Sequence, residues 1–584
     1  MCRGYKLQYR SLEEAQIALP YKWKVDPFGA DKNATHHFYS LRWLPGKISE
    51  WVSGASDEPN PLKIVADFLE YHATPQCEKN QYYMGPGAEH TLAIRTGILV
   101  DIWLGKVQGA GGYGVVDQGL LESEIKESVE ALASDALYKF PHNHGLMVDK
   151  KLIEISLRAP KFDADRHYFY LAENRAARQI DAIFDGSGFT KEHSIIYQVY
   201  NANICVELLE LYRSHEVESK LVERIETIAA TTTYFMQYCA RPDGALPPVG
   251  DSFRFPDKAN LKQLERVSSF FEGASEKAKR SAHCFWKASV SDAFLVIPEA
   301  GFALIRRDHK ELGESCVTQA FFTAGWHSSS HKQNDDLSFT FVCDGVEWID
   351  EPGYSDQIKR SDVPFSSECY HNVVHHANRA WTKAGAEPMG SGLIQYCSDK
   401  GVVAVEGVSE RLPEASVTRR LVYVDPGVLL VIDQINTSIA GPFVQRFHFG
   451  HEIRAWVGSD GNVSCRHQRK GSFVGRVSQI VGGSTPPSIV DSFVVDRAGA
   501  KWPTLALEYR GVGSNQPICY VLAGTKHERL GRARSFEELP TVRLMHHDVQ
   551  RSVIELEAGS EKRMVHVDMV SLTHEARLST VTNG

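Results

Sequence analysis

No stretch of this chain is apolar for long enough to cross a bilayer. The longest such runs, for example Gly427 to Ile432, fall far short of the roughly 20 residues that a spanning helix needs. The N-terminus, MCRGYKLQYRSLEEAQ, lacks an apolar h-region and a small-residue cleavage site, so the chain as it stands is expected in the cytoplasm unless a leader is missing from it. There is no basic excess either. The formal net charge is −9 and the sequence pI about 6.3, which argues against a general nucleic-acid binder. An anionic glycan stays possible, because a cleft can be locally basic on an acidic protein. The 11 cysteines are odd in number and form no CxxC pair, which suits free, mostly buried thiols in a reducing compartment better than a disulfide framework. No short repeat of fixed period is evident.

What is present is a long soluble chain. With 584 residues, 43% hydrophobic and 23% charged, it is too large for one core, and two or more domains are expected. Residues 1–60 are mixed, with Trp23, Trp43 and Trp51 scattered among polar residues, and read as an extension packed on the first domain. From Pro61 to about Val290 the pattern is helical. PLKIVADFLEYH, HTLAIRTGILVDIWLG, LLESEIKESVEALASDALYKF, RHYFYLAENRAARQIDAIFDG, IIYQVYNANICVELLELYR and KLVERIETIAATTTYFMQYC carry apolar residues at three-to-four spacing. Gly109 to Gly114, Pro141, Gly186-Ser-Gly and Pro242-Asp-Gly break them. From Phe302 onward the segments are short, alternating and β-branched, as in GVVAVEGV from Gly401 and VLLVIDQI from Val428, the pattern of an antiparallel sandwich. The expected division is 1–60, 61–295 helical and 296–584 β.

Just after this change lies Gly325 to Tyr354, GWHSSSHKQNDDLSFTFVCDGVEWIDEPGY. His327, His331, Lys332, Gln333, Asn334, Asp335 and Asp336 crowd together. Leu337, Phe339, Phe341 and Cys343 then alternate with polar or smaller residues, Asp344-Gly345 is a two-residue hairpin turn, and Val346 to Ile349 reads as the return strand. A polar cluster at the mouth of an apolar hairpin must be solvated, paired or used; the plain alternative is a solvated loop.

Three other stretches carry candidate chemistry, each with a bland counterpart. Asn143-His144-Gly145 follows Phe140-Pro141 and reads as a helix C-terminal exit, since Asn and Gly tolerate left-handed backbone. Ser194 is a candidate N-cap for a helix on which Tyr197, Tyr200 and Asn201 share a face, although tyrosines so placed are often core residues. His371-Asn372-Val373-Val374 begins a strand. Asp251, in Pro247-Pro-Val-Gly-Asp, reads as structural, and His448 as a satisfied core histidine.

Taken together, HSSSHKQNDDLSF, WIDEPGY, Asn143-His144, EHSIIYQ from Glu192 and His371-Asn372-Val373-Val374 resemble the signature of the heparinase II/III-like polysaccharide lyases. The resemblance spans about residues 140 to 450. It implies an incomplete (α/α) toroid followed by a large antiparallel β-sandwich domain, and cleavage of a uronic-acid-containing polysaccharide by β-elimination. It departs from the family where Ile195 replaces a Pro, Gln198 a His and Gln333 the second His of H-x-H, and where Glu351 is extra. By resemblance, Asn143 contacts the uronate carboxylate with His144 beside it, and Tyr197 and His331 are catalytic. Tyr200, His327 and Lys332 are expected on the substrate surface. If the groups leave from one face, Tyr197 serves as base and acid; if from opposite faces, a histidine is the base and Tyr197 only the acid.

The resemblance also implies a zinc site at Gln333, Asp350 and His371. Gln is a poor zinc ligand, so a weakened or absent site is expected, with a Gln333–His371 hydrogen bond in its place, and with Glu351 or His375 as the residues that would rescue it. No cofactor is needed for the chemistry. Two other classes compete: a non-catalytic glycan-binding or assembly protein of the same fold, and a glycoside hydrolase, which needs two carboxylates flanking the bond. Asp335 and Asp336, as strand neighbours, would point to opposite faces. The expected partner is an anionic polysaccharide, with no nucleic acid and no membrane span.

Overall fold

The computed structural model describes residues 5–572 apart from 8–13, 24–25, 29–31, 75–86, 106–113, 256–257, 277–291, 309–316, 328–330, 356–366, 382–389, 400, 413, 426, 440, 470–472, 483–485, 497–498, 513–516, 527–538 and 559. Gly109 to Tyr113 and Ser328 to Ser330, singled out above, therefore lie outside the described residues. No helix among the described residues is long and apolar enough to cross a membrane.

Apolar spacing makes the helices. In Leu62–His72 the buried residues Leu62, Ile64, Val65, Phe68, Leu69 and His72 form one stripe. Gln118–Ala133 starts at Asp117, whose carboxylate accepts from Leu120 N at 2.8 Å. The N-terminal extension is anchored by Trp23. Its ring stacks on Phe38 at 5.5 Å and meets Phe68 edge-on, and its Nε1 donates to Asp67 at 2.8 Å. One helix was not foreseen. Asn143–Arg158 begins where the sequence reads as a helix exit, because Gln118–Ala133 ends early and His142, not Asn143, takes the flanking position. His142 Nδ1 accepts from His144 N at 3.1 Å and caps the new helix.

After the last described α-helix, Lys258–Glu272, every strand pair is antiparallel. Asp292–Ile297, Phe302–Asp308, Val317–Thr323, Phe339–Cys343 and Val346–Ile349 form a five-stranded meander. A nine-stranded sheet runs from Ile453–Val457 at one edge to Val570–Ser571 at the other, with Val428–Thr437 and Ala415–Val424 inside it. Along Val428–Thr437, Leu429 and Val431 join a core with Phe341, Phe447 and Tyr509, whereas Val428, Leu430 and Ile432 join another with Ile554, Leu556 and Val567. This part of the sheet is buried on both faces, which is why that strand reads as a continuous apolar run rather than an alternating one. The Asp344-Gly345 turn has φ of 52° and 74° and pairs Cys343 with Val346, the left-handed pair a two-residue hairpin needs.

Compact packing does not divide where the helices end. One unit comprises Met1–Ile183 and Glu207–Leu221; the other comprises Phe184–Val206 and Val222–Gly584. The reason lies in the second unit's core, where Phe189, Ile195, Val199, Phe235 and Leu246 pack on Leu295, Ile297, Phe302, Leu304 and Phe321. The later helices cover the first sheet. Among the described residues, Cys205, Cys239, Cys343, Cys369, Cys397, Cys465 and Cys519 form no disulfide.

Candidate functional site

In the first unit, Asn143 and His144 open their helix over a pinned loop. Gln179 Oε1 accepts from His142 N at 3.1 Å, and Gln179 Nε2 donates to Lys139 O at 2.5 Å and to Tyr138 OH at 3.1 Å. A Cβ at position 145 would stand 2.0 Å from Gln179 Nε2 and 2.1 Å from Lys139 O, so only glycine admits this approach. Asn143 is 3% exposed, and its Oδ1 has no hydrogen-bond partner among the described residues. His144 Nδ1 lies 2.7 Å from Glu89 Oε1.

In the second unit, Tyr197 and His331 meet. Tyr197 lies in the first turn of Ile195–Ser214; Ser194 Oγ accepts from its N at 3.4 Å, while Ser252 Oγ accepts from Ile195 N at 2.9 Å. The loop before the helix is fixed by Gln198, whose Oε1 accepts from Thr190 N at 2.7 Å and whose Nε2 donates to Gly188 O and to Thr232. That residue, a departure from the family pattern, has a structural task. His331 has a left-handed φ of 55°. This backbone turn sets its ring flat on Tyr197, with centroids 3.3 Å apart and planes 21° apart. Glu192 lies beside the pair: its Oε2 is 3.2 Å from His331 Nδ1 and accepts from Asn201 Nδ2 at 3.0 Å. Tyr200 meets Tyr197 edge-on at 5.9 Å. Burial, and then Asp251, Tyr354, Glu192 and Tyr200, push the Tyr197 phenol well above its usual range. The arrangement therefore offers a protonated phenol against an imidazole.

One residue expected on the substrate surface is placed otherwise. Lys332 is fully buried, with its ammonium 2.6 Å from Asp335 and 3.3 Å from Asp336. Arg411 completes this knot, 2.9 Å from Asp336 and stacked 3.7 Å from the Trp326 ring centroid. Lys332, Asp335 and Asp336 thus neutralise one another at the hairpin base. The two carboxylates are not disposed as the acid and base of a hydrolase. His327 stacks on His193 at 5.3 Å, and its N donates to His193 Nε2 at 3.3 Å. Burial, with Lys191, pushes its imidazole down to about 4.

The three positions that the resemblance links to zinc do not fit the ion. Gln333 Nε2 donates to Gly250 O at 3.0 Å and to Asp251 Oδ1 at 2.8 Å, not to His371 as expected. Asp350 is fully buried and paired with the guanidinium of Arg254, which also pairs with Glu347 beside Arg241. His371 Nδ1 is bonded to Glu351. A cation placed among these groups would face a guanidinium already neutralising the only carboxylate of the three. Neither rescue residue completes a set. Glu351 Oε1 accepts from Asn372 Nδ2 at 2.9 Å while its Oε2 bonds His371, and burial, then Arg446, pushes His375 down to about 4. Asn372 is a core clamp: its amide donates to Phe339 O and Asp350 O, and its Oδ1 accepts from His448 N at 2.6 Å. His448 is buried, with Nδ1 2.9 Å from Ser492 Oγ.

Residues 291–523 match the family model described as heparinase II/III-like, C-terminal. This chain carries a heparinase II/III-like C-terminal domain. No curated protein matches the sequence. Among solved structures, heparinase III is similar with a TM-score of 0.71 at 12% identity, over 95% of this chain and 87% of that one. The heparan sulfate lyase HepC from Pedobacter heparinus is similar with a TM-score of 0.66 at 13% identity, over 97% and 88%. Identities this low speak for fold alone. The shared fold is an incomplete (α/α) toroid followed by a large antiparallel β-sandwich, with the heparinase II/III-like domain supplying the second part.

Glu192, Glu89 and Arg254 were missed by sequence reasoning. Glu192 stands inside the quoted EHSIIYQ stretch and is the one a motif could have flagged; Glu89 and Arg254 act across long sequence separations and leave no local signal.

Proposed function

We propose that the chain is a polysaccharide lyase that cleaves a uronic-acid-containing glycan by β-elimination. The observation that carries this reading is the contact of Tyr197 with His331, with Glu192 3.2 Å from the imidazole. His331 takes the C5 proton, and that electron pair forms the C4–C5 double bond. The C4–O bond then breaks, and the bridging oxygen leaves with the proton of the Tyr197 phenol. Of the two routes open from sequence, the one with histidine as base is favoured, because every named influence on Tyr197 opposes a phenolate. Asn143 and His144 are assigned to the uronate carboxylate, whose developing negative charge needs preorganised donors. The reading also holds that no zinc takes part, since Arg254, Glu351 and Asp251 engage the residues that would bind it.

The test is incubation with a panel of uronate glycans while following absorbance near the unsaturated-uronate band. Wild type should form product, and Tyr197→Phe should lose 10²–10⁴-fold in rate while still binding. Binding without product from any member of the panel would establish the non-catalytic alternative.

A further inference from the structure

Four imidazoles stand in a row in the first unit. Ring centroids are 4.5 Å apart for His36 and His90, 4.9 Å for His90 and His144, and 4.4 Å for His142 and His144. One buried carboxylate serves the row. Glu89, 3% exposed on the Ala88–Trp103 helix, places Oε1 2.7 Å from His144 Nδ1 and 2.9 Å from Lys139 Nζ. Burial opposes its ionisation, but the hydrogen bonds from His144 and Lys139 prevail and hold the carboxyl at about 2.

An ionised carboxylate only accepts hydrogen bonds, so the nitrogen 2.7 Å away must carry the proton. That fixes the His144 tautomer. Nδ1–H stays on Glu89, and Nε2 is the nitrogen left for another partner. The neighbouring rings do not compete for this charge. Burial, then His144, Arg42 and His37, pushes His36 down to about 4; burial, then His36, His144 and Arg42, pushes His90 down to about 2. His36 Nδ1 is instead 2.6 Å from Thr91 Oγ1, and His142 Nδ1 accepts from His144 N.

We propose that Glu89 is a positioning residue for His144, fixing Nδ1 as the protonated nitrogen and presenting Nε2 to the substrate. Both states of the ring keep the Glu89 bond: the neutral one presents a lone pair at Nε2, and the imidazolium presents N–H. The part concerning substrate rests on the lyase reading; the tautomer does not.

Nitrogen-15 histidine spectra of the full chain at neutral pH, with the His144 signal assigned through His144→Gln, decide the tautomer. Nδ1 protonated, with Nε2 bare or also protonated, is expected; protonation at Nε2 alone overturns the proposal. Because that reading is made on wild type, it does not depend on whether Glu89→Gln folds. In Glu89→Gln, the fixed tautomer should give way to a mixture, and kcat on a cleaved glycan should drop about 10- to 100-fold with KM little changed. Glu89→Asp should restore part of both. An unchanged tautomer, or unchanged kcat in Glu89→Gln, overturns the positioning role. If wild type forms no unsaturated product, the lyase reading fails while the spectra still judge Glu89.

Discussion

Tyr197 stands as a protonated phenol, an acid and not a base, since burial and four neighbours oppose its ionisation. This predicts a leaving-group effect. On a substrate whose C4 substituent is an aryloxide that needs no protonation, Tyr197→Phe should recover most of its lost rate, whereas His331→Ala should not. Equal loss for both would return the base role to Tyr197. A second residue-scale prediction concerns pH. Burial lowers the His371 pKa, but Glu351 overcomes it, and the net shift is upward. A raised folded value means that the pair contributes its full stability below the unfolded pKa of about 6.5 and loses it as pH rises through the folded value. Denaturant melts of wild type should therefore weaken above that pH, and Glu351→Gln should flatten the dependence. Gln333→Ala removes two buried hydrogen bonds and should cost about 1–3 kcal/mol in the same assay with little loss of rate; a large rate loss at full stability would move Gln333 into the chemistry.

At the scale of elements, what was legible was periodic. The central hairpin follows the sequence reading strand for strand, because Phe339, Phe341 and Cys343 share a buried face and Asp344-Gly345 suits only a tight turn. The helix from Asn143 was missed because its flanking residue is a histidine, which is not a usual cap, and its register depends on Gln179, 37 residues from His142. The pairing of Tyr197 with His331 was legible only through resemblance. The partners of Gln333 and Asp350 were not legible at all, since Asp251 and Arg254 come from a loop some 80 to 100 residues earlier. That loop makes a prediction. Arg254→Ala leaves the buried Asp350 without its countercharge and should cost about 3 kcal/mol. A chelator should leave the wild-type melting temperature unchanged, and added zinc should not raise it. A chelator-induced loss of stability would mean that a metal does sit among these residues.

At the scale of the whole molecule, the family-matched segment is not a self-sufficient body. Leu295, Ile297, Phe302, Leu304 and Phe321 on the first sheet are buried against residues that precede the match, among them Phe189, Ile195, Val199, Phe235 and Leu246. At about 1.5–3 kcal/mol for each large apolar side chain, exposing the sheet's five costs roughly 10 kcal/mol, comparable to the entire stability of an ordinary domain. A chain of residues 291–584 should therefore aggregate or bind a hydrophobic dye without a cooperative melt. A chain of residues 184–584 keeps the helices that cover this sheet and should melt cooperatively as a soluble species. The comparison isolates the covering helices, because both chains retain the same strands. If the shorter chain alone were monodisperse and cooperative, the apolar face of the first sheet would have to find its cover within the β-strands, and the packing described for the second unit would not be what holds it together.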